Sequence, residues 1–144
     1  MIEQVVDTQL INQTIIDALS IARLSLPERM PAGAKYCFAT VASRGYAQML
    51  NNLLTSLHRT TCTQDMVVVV FNLDSDAECN QIAQKFDACI VSGELLMPTP
   101  GKAAKAVMYS IARMIDAQIF VCLDVDTLII SDLKYLFDAI EVCG

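Results

Sequence analysis

Two rhythms alternate along this chain. Apolar runs of strand length are separated by segments in which apolar residues return every three or four positions, the signature of one buried helical face. The clearest runs are KYCFATVAS (35–43), MVVVVFNL (66–73), ACIVS (88–92) and a run over 118–123. Four consecutive valines in the second run predict a strand buried on both sides, which favours parallel pairing. Between the runs, Ala47, Leu50, Leu53, Leu54 and Leu57 predict one amphipathic helix. Cys79, Ile82, Ala83 and Phe86 predict a second over about 76–86. Ala103, Val107, Ile111 and Met114 predict a third, which follows the turn-rich MPTPG at 97–101.

Ile11, Ile15, Ala18, Leu19 and Ala22 predict a further helix over 8–24, ending near Pro27 and Pro31. The chain therefore divides into an N-terminal helix and linker, 1–34, and an α/β domain, 35–144. Repeated β-α alternation with near-continuous apolar strands specifies an open, mostly parallel, Rossmann-like sheet with helices on both faces. Ligands of such sheets gather beyond the carboxyl ends of the strands. Ser43, Arg44, Asn72, Asp74, Ser92 and Asp124 all fall at those ends.

The stretch IFVCLDVDTLIISDLKYLF (119–137) adds chemistry to this frame. Its apolar strand delivers Asp124 and Asp126 to a carboxyl end. Continued alternation would point both the same way and turn Val125 into packing. Two hard oxygen donors suit Mg²⁺ or Mn²⁺, ions that retain open positions for phosphate oxygens. Two carboxylates at a buried strand end would also repel each other without an intervening cation or proton. The plainer role for either is to cap a turn. Ser131 is expected to cap the following helix, with Asp132 in its first turn.

Lys102 and Lys105 open the third helix, where a helix N-terminus already attracts anions, and are candidates for diphosphate contact or for a solvated first turn. Arg44 and Tyr46 could meet a base or ribose, or be an exposed loop residue and a core-edge aromatic. Asn72 and Asp74 have the same two readings. His58 and Arg59 complement the dipole at a helix C-terminus.

Composition narrows the classes. Hydrophobic residues form 54% of the chain, yet no apolar run approaches the ~20 residues of a membrane span. The N-terminus lacks the basic and apolar pattern of a signal peptide, so a cytoplasmic protein is expected. Six cysteines without a C-x-x-C pair read as reduced, mostly buried thiols rather than disulfides or a zinc site. A net charge of −6 argues against a nucleic-acid partner.

With these residues in view, the chain resembles the nucleotide-binding half of a GT-A-fold glycosyltransferase of the glycogenin and lipopolysaccharide-galactosyltransferase group (family 8-like). FATVASRGYAQMLNNLLTSL (38–57) looks like that group's first strand and helix, with a Ser-Leu near the helix end. Lys102 or Lys105 falls where a Lys or Arg often precedes the D-x-D strand. VCLDVDTLIISDLKYLFD (121–138) looks like the D-x-D strand and the short helix after it.

The resemblance spans roughly 35–141 and implies transfer of a sugar from a nucleoside diphosphate, a UDP-sugar above all, to a glycan, lipid or protein hydroxyl. Asp124 would contact ribose and metal, and Asp126 would coordinate the bridging Mn²⁺ or Mg²⁺. Ala42, Ser43, Arg44 and Tyr46 would hold the nucleoside, with Asn72, Asp74, Val125 and the two lysines completing the donor site. The family's third metal ligand, often His, and its acceptor-binding half would lie beyond Gly144.

Two other classes share features with this chain. Haloacid-dehalogenase-like phosphatases also carry D-x-D after an apolar strand, but their Gly-Thr is replaced here by Thr127-Leu128, and 18 residues follow Asp126. A truncated or degenerate lobe that binds only a nucleotide or a partner chain would suit the apolar composition and an unpaired sheet edge.

Overall fold

The computed structural model describes Gln13, residues 34–92 and residues 117–143. The helices expected at 8–24 and 102–114 lie outside the described residues, apart from Gln13, which is helical. The remaining elements are β1 (Ala34–Ala42), α1 (Ala47–Thr60), β2 (Met66–Asn72), α2 (Ala77–Lys85), β3 (Cys89–Ser92), β4 (Ala117–Cys122) and α3 (Lys134–Cys143). They build an α/β, Rossmann-like open sheet of four strands in the order β3-β2-β1-β4. All its pairings are parallel.

The order explains where a site can form. The chain steps from β1 to β2 to β3 in one direction, and β4 then lies on the far side of β1. The strand order thus reverses between β1 and β4, and a crevice opens beyond their carboxyl ends. Tyr36 to Ala42 pair with Met66 to Asn72 on one flank of β1, and on the other Ala39 pairs with Cys122. The Leu123 N–H donates to Ala39 O at 3.1 Å, the hydrogen bond that closes the Ala39–Cys122 pairing. Carried further, that register sets Asp124 beside Val41.

Alternation divides the core into two clusters. Tyr36, Phe38 and Ala42 of β1 and Val68 and Val70 of β2 meet the buried faces of α1, α2 and α3. Cys37, Ala39, Val67, Val69, Phe71 and Val91 form the second cluster, and the opposite face of the sheet is therefore buried too. The α1 residues buried are Ala47, Leu50, Leu53, Leu54 and Leu57, the same five that the spacing picks out. Phe137 is the one buried residue of α3 and stacks on Tyr36 with ring centroids 4.3 Å apart.

Side chains start and stop the helices. The Asp76 carboxylate caps α2 by accepting the Cys79 N–H at 3.1 Å. Beyond its C-terminus Asp87 takes a left-handed φ of 55°, and Ala88 N–H returns to Ala83 O at 2.9 Å. With Asp87 N–H on Gln84 O, this is a Schellman ending in which Asp stands where Gly is commoner. At α3 the expected cap moves by one residue. Asp132, not Ser131, accepts an N–H of the first turn, that of Lys134 at 2.9 Å. His58 and Arg59 do lie in the last turn of α1.

Candidate functional site

β1 ends in a turn, Ser43-Arg44-Gly45-Tyr46, closed by Tyr46 N–H to Ser43 O at 3.0 Å. Gly45 carries the positive φ, 89°, that a type II turn requires at its third position. An L side chain is strained there whatever the surrounding space. The turn is held from two sides. Asp74, after β2, accepts the Arg44 backbone N–H on both carboxylate oxygens, and the buried Cys79 thiol donates to Ser43 O at 3.6 Å.

Across the crevice β4 ends at Cys122, and Asp124-Val125-Asp126-Thr127 forms a β-turn closed by Thr127 N–H to Asp124 O at 3.1 Å. This corrects the expectation of an extended Asp124-Val125-Asp126 with strict alternation. The chain leaves the sheet once the Leu123 N–H has bonded to Ala39 O and must turn to reach α3. Both acids are exposed, not buried. Water screens their mutual repulsion, so repulsion alone does not call for a cation.

The two turns nevertheless enclose one cleft of about 280 Å³, lined by Val41, Ala42, Ser43, Tyr46, Leu73, Asp124, Val125 and Asp126. Five of the sequence candidates on the two loops thus meet with Ala42 at the β1/β4 switch point. Val125 also packs against the main core cluster, so it joins the cleft to the interior. Tyr46, one of the lining residues, is about half exposed (46%).

Other candidates are spent elsewhere. Asn72 is fully buried, and its amide donates to Asp76 O and Asn80 Oδ1, both at 2.8 Å, while its carbonyl accepts the Asp76 N–H at 3.1 Å. This side chain holds the start of α2 and does not line the cleft. Asp74 and Arg44 are also outside the cleft lining, and the Arg44 guanidinium lies 3.9 Å from Asp76. Lys102 and Lys105 lie outside the described residues.

Pattern reasoning missed the groups that hold the segment following the D-x-D turn. Ser56 Oγ donates to Leu53 O at 2.7 Å and accepts the Ile129 N–H at 3.0 Å. Thr61 Oγ1 accepts the Leu133 N–H at 3.0 Å. The signal available in the sequence was weak: hydroxyl residues among the leucines of a helical run. Leu73 and Val41 were hidden among strand residues that read simply as core.

The donor set of the cleft bears on Mn²⁺ or Mg²⁺. Two carboxylates in one open cleft match ions that bind through one or two carboxylates together with phosphate oxygens and water. Among the described residues no three His, Cys, Asp or Glu side chains gather as a metal-binding group. Two carboxylates would hold such an ion only together with oxygens from outside the protein. No protein-family model matches this sequence, and no curated protein matches it at a significant level. Among the described residues no helix is long and apolar enough to cross a membrane.

Proposed function

We propose that the cleft binds a nucleoside-diphosphate sugar through a divalent cation on Asp124 and Asp126, and that the domain belongs to a glycosyltransferase acting on a hydroxyl acceptor. One observation carries this reading: both carboxylates share a cleft with Ser43 and Tyr46 at the switch point of a parallel sheet. Such crevices suit nucleotides, because the ends of several strands converge there without closing it. Two of the three pieces that carry the resemblance, 38–57 and 121–138, supply these residues.

The residues divide the work by chemistry. The exposed face of Tyr46 offers a flat apolar surface to a base or ribose, and Ser43 supplies polar groups at the end of β1. Asp124 and Asp126 provide hard oxygen donors on the opposite wall. A bound divalent ion would offset negative charge on the diphosphate as its bond to the sugar's anomeric carbon breaks. The nucleoside diphosphate leaves with the electron pair of that bond, the acceptor oxygen forms the new bond to the carbon, and the acceptor's proton passes to water.

A second reading, a lobe that associates with a partner and transfers nothing, is favoured by a different observation. Leu128, Ile130, Tyr135 and Val142 are all strongly exposed around α3. One experiment separates the two readings. Calorimetric titration with UDP and GDP, each with and without Mn²⁺, is expected to show metal-dependent binding that Asp126→Ala abolishes. Absence of binding by the unaltered chain under every condition would overturn the donor-site reading and leave the association lobe.

A further inference from the structure

The segment between β4 and α3 has no regular structure from Leu123 to Leu133, yet it carries both acids of the cleft. Within it the Asp124–Thr127 turn is closed by a backbone hydrogen bond, and a turn's own hydrogen bond does not set its place relative to the β1 wall. The segment is fixed to other elements at both ends. Leu123 N–H pairs with Ala39 O at the start, and Ile129 and Leu133 donate to Ser56 and Thr61 near its end.

Ser56 holds the residue closer in sequence to the acids, Ile129 rather than Leu133, and has a determinate geometry. Its hydrogen is committed to Leu53 O at 2.7 Å, so a lone pair faces the Ile129 N–H at 3.0 Å. Ile129 is itself buried, 7% exposed, and its side chain joins the main core cluster. Backbone and side chain of one residue are thus both seated, two positions beyond the end of the turn.

We propose that Ser56 is a positioning residue for the D-x-D turn: by receiving the Ile129 N–H it sets where Asp124 and Asp126 stand in the cleft. The consequence for metal and nucleotide rests on the donor-site reading above, but the grip on the turn does not. Supporting groups behind ligand carboxylates commonly alter metal affinity by about 10–100-fold when removed. Ser56→Ala removes the acceptor and retains a strong helix former, whereas Ser56→Thr keeps the hydroxyl.

The test is amide hydrogen exchange, by NMR, of the full chain as wild type, Ser56→Ala and Ser56→Thr. Protection of the Thr127 N–H is expected to fall about tenfold in Ser56→Ala relative to Val69 in β2, and to return in Ser56→Thr. Unchanged Thr127 protection, or an equal loss at Val69 that marks general destabilisation, would overturn the proposal. In a second arm, UDP with Mn²⁺ is expected to bind Ser56→Ala about tenfold more weakly than wild type. Equal affinity would overturn the role in setting the acids. If the wild type binds no nucleotide, the donor-site reading fails, and the Thr127 exchange ratio still decides whether Ser56 places the turn.

Discussion

The Asp74 carboxylate receives the Arg44 backbone N–H at 2.9 and 3.2 Å, which ties the loop after β2 to the loop after β1. Those loops are 30 residues apart in sequence. The bond leaves Asp74 outside the cleft lining but places it behind the Ser43–Tyr46 turn that forms one wall. Asp74→Ala should speed exchange of the Arg44 amide and cost about 1 kcal/mol at most, since the pair is exposed to water. Urea unfolding and amide exchange measured together would check this; an unaltered Arg44 amide would show that the turn stands without the latch.

Asp126 is exposed and belongs to a turn, so its removal is expected to separate binding from folding. Asp126→Ala should abolish Mn²⁺-dependent UDP binding and shift stability by less than about 0.5 kcal/mol. Calorimetry and thermal unfolding on one preparation would read both. A large fall in stability would instead mark Asp126 as a structural turn residue.

Asn72 should behave in the opposite way. Its replacement by Ala leaves the Asp76 N–H and Asn80 Oδ1 without this partner, while the Asp76 carbonyl keeps the Asn80 N–H at 3.0 Å. A cost of about 3 kcal/mol is expected, because buried polar groups are expensive to leave unpaired. Denaturant midpoints would measure it, and a neutral result would mean that the start of α2 readjusts freely.

Phe137 is the anchor of α3. With no exposed surface and a ring stacked on Tyr36, its change to Ala should cost about 3–5 kcal/mol and release α3 from the sheet. Exchange protection confined to α3, lost in the mutant while β1 stays protected, is the expected pattern.

Cys37 and Cys79 are both pushed up from 9.0 to about 12, in each case chiefly by burial. Neighbouring Cys89 and Cys122 add to the effect at Cys37, and the hydrogen bond and charge of Asp76 add to it at Cys79. A raised folded value favours the protonated thiol, so this contribution to stability is complete below pH 9. It is lost as pH climbs from 9 toward 12. Unfolding free energy should fall over that window, less steeply in Cys37→Ala. At pH 8 thiol alkylation should reach the exposed Cys62 and Cys143 well before Cys37 and Cys79.

Much of this architecture is local and was therefore legible. The valines of β2 and the leucines of α1 follow from side-chain volume and period within a few residues. These determine strands, helices and the faces they bury, and they bring Ser43 and Asp124 to strand ends. The D-x-D conformation was less legible, because the residue at which a strand stops depends on the neighbour's last pairing. For β4 that pairing is Cys122 with Ala39.

By itself, then, the sequence determined the α/β class, the parallel strands and the residue types available at their carboxyl ends. Tertiary structure alone decided that β4 lies beside β1, so that the Ser43–Tyr46 and Asp124–Thr127 turns enclose one cleft while Asn72 is drawn into the start of α2. The reason is that periodicity encodes which way a side chain faces, whereas strand order arises from packing among elements tens of residues apart. Ser56 and Ile129, 73 residues apart and joined by one hydrogen bond, show that difference at a single contact.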